Sequence, residues 1–124
     1  PFYAGNMTYH SRICGKGKEV ILKAQHFRAP LLSIRIDGRE AGKIAFAPYM
    51  LSLGVLPEGE HELEITVLGN RYNTFGQLHN CDPRYNWVGS CAWRTTGDRW
   101  SYEYQLKKNG IYCAPHLYEI PCGE

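Results

Sequence analysis

Three tryptophans, Trp87, Trp93 and Trp100, fall within residues 70–100, interleaved with Tyr72, Asn73, Tyr85, Arg94 and Asp98. Flat rings stack on the C–H faces of sugar rings, while amides, guanidinium groups and carboxylates bind hydroxyls. Such a mixture suits a loop that holds a neutral polyol or docks a partner. A span of this length without regular period, inside a compact domain, is functional or is ordered by packing against something else. The candidate sugar contacts are Tyr72, Asn73, Trp87, Trp93, Arg94 and Asp98. Two other readings stay open for Trp87 and Trp93: rings folded back to cap the end of the domain, or rings docked on a neighbouring one. Trp100 is read as an inner-face aromatic.

Other chemistry is weaker. Hydrolysis of a glycosidic bond needs two carboxyl groups across a cleft. Asp98 and Glu103 are the obvious pair near the rings, but Asp98 in a Thr-Gly-Asp turn is better explained as an acceptor for backbone N–H groups. His61, His116 and Cys113 lack the context of a nucleophile with its base, so no catalytic residue is assigned and the chain is read as a non-enzyme. Zinc knuckles place two to four residues between cysteines, whereas nine separate Cys81 from Cys91, beside His79. Asp82 and Asp98 are the candidates for a structural calcium, yet no Asp-x-Asp-x-Asp series is present; the expectation is no metal and no cofactor.

The elements that would position these residues alternate with period two, as half-buried antiparallel strands do. Leu63, Ile65 and Val67 oppose Glu62, Glu64 and Thr66, and Leu32, Ile34 and Ile36 oppose Ser33 and Arg35. Val20, Leu22 and Ala24 oppose Glu19 and Lys23, and Met7, Tyr9 and Ser11 oppose Thr8 and His10. A further strand is expected where Trp100, Tyr102, Tyr104 and Leu106 alternate with Ser101, Glu103, Gln105 and Lys107. Gly15-Lys16-Gly17, Asp37-Gly38, Pro57-Glu58-Gly59 and Asn109-Gly110 supply turn chemistry, and Asp37-Gly38 is the clearest hairpin. No window carries a capped helical stripe. The pattern implies an all-β protein, an antiparallel β-sandwich of jelly-roll type with about eight strands. Residues 70–99 should be its largest irregular element.

At 124 residues the chain suits a single domain spanning 1–124. Its 14 basic and 12 acidic residues are scattered, which gives no footprint for nucleic acid. The apolar run 44–56 is broken by Pro48, Ser52 and Gly54, well short of the ~20 residues of a membrane helix. The first residues lack a positive segment followed by an apolar one, so no signal peptide is expected here. Five cysteines, an odd number without framework spacing, favour a reducing, cytoplasmic setting over secretion.

The order of strand, Asp37-Gly38 hairpin, apolar strand with Pro48, Leu-Pro-Glu-Gly-Glu-His turn and Leu63-Glu64-Ile65-Thr66-Val67 strand resembles the galactose-binding-like jelly roll. The run 69–76, with Trp93-Arg94-Thr95-Thr96-Gly97-Asp98 and Trp100-Ser101-Tyr102-Glu103-Tyr104, is similar to the C-terminal β-sandwich of uncharacterised bacterial proteins related to family 2-type glycoside hydrolases. The resemblance implies a non-catalytic carbohydrate-binding module, freestanding or cut from a larger glycosidase, whose partners are a glycan and the parent catalytic domain. Its alternative is a structural accessory domain that packs on such a catalytic domain without touching sugar. An apolar patch around Tyr49, Met50 and Leu51 would favour that alternative.

Overall fold

A computed structural model describes residues 1–82 and 89–121. Nine strands are described: β1 (Met7–Gly15), β2 (Lys18–Lys23), β3 (Phe27–Arg28), β4 (Leu32–Ile36), β5 (Arg39–Ile44), β6 (Met50–Leu56), β7 (Gly59–Val67), β8 (Gly110–Ile111) and β9 (His116–Ile120). Among the described residues helix is confined to α1 (Tyr72–Phe75) and one 3-10 turn, Ser90–Ala92. The chain divides into two compact units, one of Asn6–Gly69 with Asn109–Glu124, the other of Pro1–Gly5 with Asn70–Lys108.

The first unit is an antiparallel β-sandwich. One sheet runs β1-β7-β4-β5, a second runs β6-β2-β9, and β3 pairs with β8. Alternation dictates what each face buries. Leu63, Ile65 and Val67 of β7 point inward beside Leu32 and Ile34 of β4, and Leu22 of β2 meets them from the other sheet. Burying each such side chain is worth about 1.5–3 kcal/mol. The strands read from alternation at β1, β2, β4 and β7 are all present.

The Asp37-Gly38 hairpin joins β4 to β5 with φ of 49° and 75°, the left-handed pair that a two-residue turn between twisted strands requires. The Gly15-Lys16-Gly17 and Pro57-Glu58-Gly59 turns instead carry the chain from one sheet to the other. They touch, since the Gly17 N–H donates to the Leu56 carbonyl at 2.8 Å. A Cβ at Gly15 would run into the Pro57 carbonyl oxygen.

The two segments that carried the first resemblance are bonded to each other. Asp37 accepts the Glu62 N–H at 2.8 Å through Oδ1 and faces His61 Nδ1 at 2.7 Å through Oδ2. His61 Nε2 faces the Pro57 carbonyl at 3.0 Å. With an acceptor at each ring nitrogen, the imidazolium is favoured. Its pKa is raised, first by the Asp37 carboxylate and then by the Pro57 carbonyl, while that of Asp37 is lowered, first by the His61 ring.

One expected strand is absent. Residues 101–109 form no strand, and Trp100 makes only an isolated bridge with Asn80. The segment is held by single hydrogen bonds to the chain around residues 78–81 and 73 instead of by a ladder. The irregular stretch therefore reaches beyond residue 99 to 109, interrupted only by the two short helical turns among the described residues.

Candidate functional site

The second unit carries the residues singled out for sugar contact. Its order comes from polar links. Asn73, on α1, donates through Nδ2 to the Lys107 carbonyl at 2.8 Å and to the Pro1 carbonyl at 3.1 Å. Its Oδ1 accepts the Lys107 N–H at 2.9 Å. Thr74 donates to the Phe2 carbonyl at 3.0 Å, so one helical turn clamps both the N-terminal residues and the segment at Lys107. Asn73, read as a sugar contact, has both amide N–H groups engaged in this clamp.

Tyr72 is half-buried, with the Lys107 ammonium 5.7 Å from its ring centroid. Trp93, which follows the 3-10 turn, is 54% exposed. Arg94 is half-buried and engaged, and Asp98 is exposed, its carbonyl 3.6 Å from Cys81 Sγ. Trp87 and its neighbour Tyr85 lie outside the described residues. Glu103, the other member of the carboxylate pair, is exposed as well.

A second set of rings forms a row that the sequence did not announce. Phe2 packs edge-on to Tyr104 at 5.3 Å, Tyr104 meets His79 at 5.1 Å, His79 meets Trp100 at 5.7 Å, and Trp100 meets Tyr102 at 4.3 Å. Trp100 is thus half-buried in this row and lies outside the sandwich core. Backbone bonds fix the row: Ser101 N–H to the His79 carbonyl at 2.9 Å, and Cys81 N–H to the Arg99 carbonyl at 2.9 Å. His79 Nδ1 returns a bond to the Ser101 carbonyl at 2.8 Å. The alternation of Trp100, Tyr102 and Tyr104 was the available signal; Phe2 and His79 join only through the fold.

Asp82, a calcium candidate, has a side chain only 2% exposed, with Arg99 Nε 3.1 Å from its carboxylate. A guanidinium thus already balances its charge. His79 and Cys81 make the separate contacts given above. Among the described residues, the donors of His10, Glu62 and Glu64 come within 4.8 Å of one another. They belong to an exposed lattice on the outer face of β1 and β7, where His10 pairs with Glu62 at 3.1 Å and Arg35 lies 3.8 Å from Glu64.

The two outer faces of the sandwich differ. On β1 and β7 the face is charged. Outside β6-β2-β9 it is mixed: Val55, Met50, Ile21, Tyr118 and Ile120 share one side by register with Glu19, Lys23, Ser52 and His116, and Ser52 Oγ donates to Glu19 at 2.7 Å. Of the patch expected around Tyr49, Met50 and Leu51, only Met50 is exposed; Tyr49 and Leu51 pack against the core. The sandwich also opens a cleft of about 420 Å³ between β1 and β9, floored by Leu22, Leu63 and Ile65.

No family model and no curated protein matches the chain. Among solved structures it is similar to a rhamnosidase from Novosphingobium sp. PP1Y, with a TM-score of 0.58 and 21% identity. The match covers 94% of this chain and 11% of the rhamnosidase chain. The likeness is one of fold: this chain is built as an all-β segment of a much longer glycoside hydrolase is built.

Proposed function

We propose that the chain is a non-catalytic accessory module of a carbohydrate-active enzyme, of the galactose-binding-like jelly-roll type, and that it contacts a glycan through the ring-bearing unit. The observation that carries the accessory role is the fold match, which takes in nearly all of this chain and a small fraction of a glycosidase. The exposed ring of Trp93, next to Arg94 in sequence, supports the glycan contact, with Arg94, Asp98, Trp87, Tyr72 and Asn73 as the remaining candidates. A shallow, wet site spends much of its contact energy on desolvating hydroxyls, so affinity should be on the order of micromolar to millimolar. Three free thiols among the described residues, Cys14, Cys81 and Cys113, support a reducing, cytoplasmic setting.

Calorimetric titration of the 124-residue chain against a broad glycan panel, with Trp93→Ala in parallel, tests this reading. Heat from at least one sugar, lost in a variant that still folds, is the expected result. No heat from any sugar would overturn the carbohydrate contact.

The exposed apolar side chains Met50, Val55, Tyr118 and Ile120 on the outer face of β6-β2-β9, interspersed with Glu19 and Lys23, favour a second reading, in which the module packs on a catalytic domain without touching sugar. That reading expects Val55→Asp to leave this chain folded and to release it from a catalytic domain expressed with it.

A further inference from the structure

We propose that the row Phe2, Tyr104, His79, Trp100 and Tyr102 is the glycan platform, and that it takes an extended neutral oligosaccharide in preference to a monosaccharide. This rests on the carbohydrate reading above and moves its centre from the Trp93 loop to the row.

Three features carry it. First, the rings form a chain of four successive contacts, 4.3 to 5.7 Å between centroids, instead of a closed cluster. Five rings joined in this way offer more surface than one sugar unit covers, so a ligand that uses the whole row needs several units. Second, exposure is graded along it. Tyr102 is 87% exposed, Tyr104 57% and Phe2 45%, while His79 and Trp100 are half-buried beneath. Rings packed only to fill space would hide their faces; these present apolar surface to water at both ends of the row. Third, the platform is held before any ligand arrives. The Gln105 N–H donates to the Leu78 carbonyl at 2.6 Å, the Glu103 N–H to Ser101 Oγ at 3.1 Å and Gln105 Nε2 to the Glu103 carbonyl at 3.2 Å. Ordering the rings in advance lowers the entropy lost on binding.

Charge selects the sugar class. Within residues 100–106 the one ionised side chain is Glu103, which is exposed. Phe2, Tyr102, Tyr104 and Trp100 carry no charge, so the row offers stacking faces and phenol and indole donors to a neutral ligand.

Titration of the 124-residue chain with neutral β-linked gluco-, xylo- and galacto-oligosaccharides and α-linked rhamno-oligosaccharides, from mono- to hexasaccharides, tests the proposal. For the series that binds, affinity should rise about tenfold or more between mono- and tetrasaccharide, the equivalent of roughly one added stacking contact. Tyr102→Ala and Tyr104→Ala should each lose most of that gain, and Tyr102→Phe, which keeps the ring, should retain it. Since Tyr102 is so exposed, its variants should fold as the parent does, which circular dichroism checks. Affinity independent of chain length, tighter binding of an oligogalacturonate, or sensitivity to Trp93→Ala alone would overturn the platform and leave the carbohydrate reading standing. Absence of binding by every sugar would overturn both.

Discussion

The two units are held by different forces. In the sandwich the buried side chains are aliphatic, among them Leu22, Leu32, Ile34, Ile44 and Val67. In the ring-bearing unit the buried side chains among the described residues are Gln77, Asp82 and Ala92, and order comes from the Asn73 clamp, the Asp82–Arg99 pair and the edge contacts of the rings. The sandwich draws its order from aliphatic burial between its sheets, although Met50, Val55, Tyr118 and Ile120 remain exposed on one outer face. A unit held by hydrogen bonds can leave its rings outside. Exposed aromatic surface here is allowed by a polar scaffold.

The comparison breaks most readily at single side chains. Ile34→Ala, in the centre of β4, removes buried apolar contacts with β7 and should cost about 2–5 kcal/mol. Trp93→Ala removes a larger side chain, but an exposed one, and should change stability by no more than about 0.5 kcal/mol. Urea denaturation followed by tryptophan fluorescence and circular dichroism measures both. If Trp93→Ala destabilised the chain as strongly as Ile34→Ala, Trp93 would be a structural cap, and the contrast between the units would fail.

Asn73→Ala should cost about 1–3 kcal/mol, because the Lys107 N–H and the Pro1 and Lys107 carbonyls lose their partner. Here the loss should be local. Limited proteolysis should cut more rapidly within residues 70–108 while the sandwich transition in a thermal scan stays in place. Equal loss in both units would show that they unfold together.

Gly38→Ala tests the hairpin within the sandwich unit. Gly38 has φ of 75°, where a Cβ costs about 1–2 kcal/mol, and there is open space around the added methyl. The penalty should therefore be purely conformational, seen as a lower urea midpoint with an unchanged slope.

Legibility followed the same division. Burial on one face leaves a period-2 trace, so β1, β2, β4 and β7 could be read directly, as could the Asp37-Gly38 turn. β9 escaped because it is an edge strand whose residues are all exposed, and β3 and β8 are only two residues each. At residues 100–106 the alternation of Trp100, Tyr102 and Tyr104 was real, since all three join one row, but it reports a shared side of the chain and no ladder. Period alone does not distinguish the two. Phe2 and His79 could not be assigned to the row, because contacts between residues so distant in sequence leave no local pattern. Nor could the role of Asn73 as a clamp, since its partners are backbone atoms whose positions only the fold supplies.

The smallest effect concerns the link between Asp37 and His61, where the sandwich uses a polar contact in the manner of the other unit. The His61 side chain is 12% exposed, and its ring joins the β4–β5 turn to the β6–β7 turn. Its pKa is raised from 6.5 by Asp37 and the Pro57 carbonyl, so its contribution is complete below about 6.5 and is lost as pH rises through the elevated folded value. The pKa of Asp37 is lowered from 3.8 by His61 and the Glu62 N–H, so its contribution is complete above about 3.8 and is lost as pH falls through the depressed folded value. Both groups are charged between those limits, with Arg12, Arg39, Glu60 and Glu62 around them. Stability should therefore be greatest on that plateau. Glu119, held below 4.5 by Lys16, adds to the acid flank and not to the alkaline one. His61→Gln keeps an amide donor and removes the charge, so the fall above about 6.5 should flatten while the fall at acid pH persists through Asp37's remaining bond to Glu62 and through Glu119. Urea midpoints of both proteins across this pH range measure it. An alkaline flank as steep in His61→Gln as in the parent would show that the imidazolium link contributes nothing, and that even the turns of the sandwich are held by burial alone.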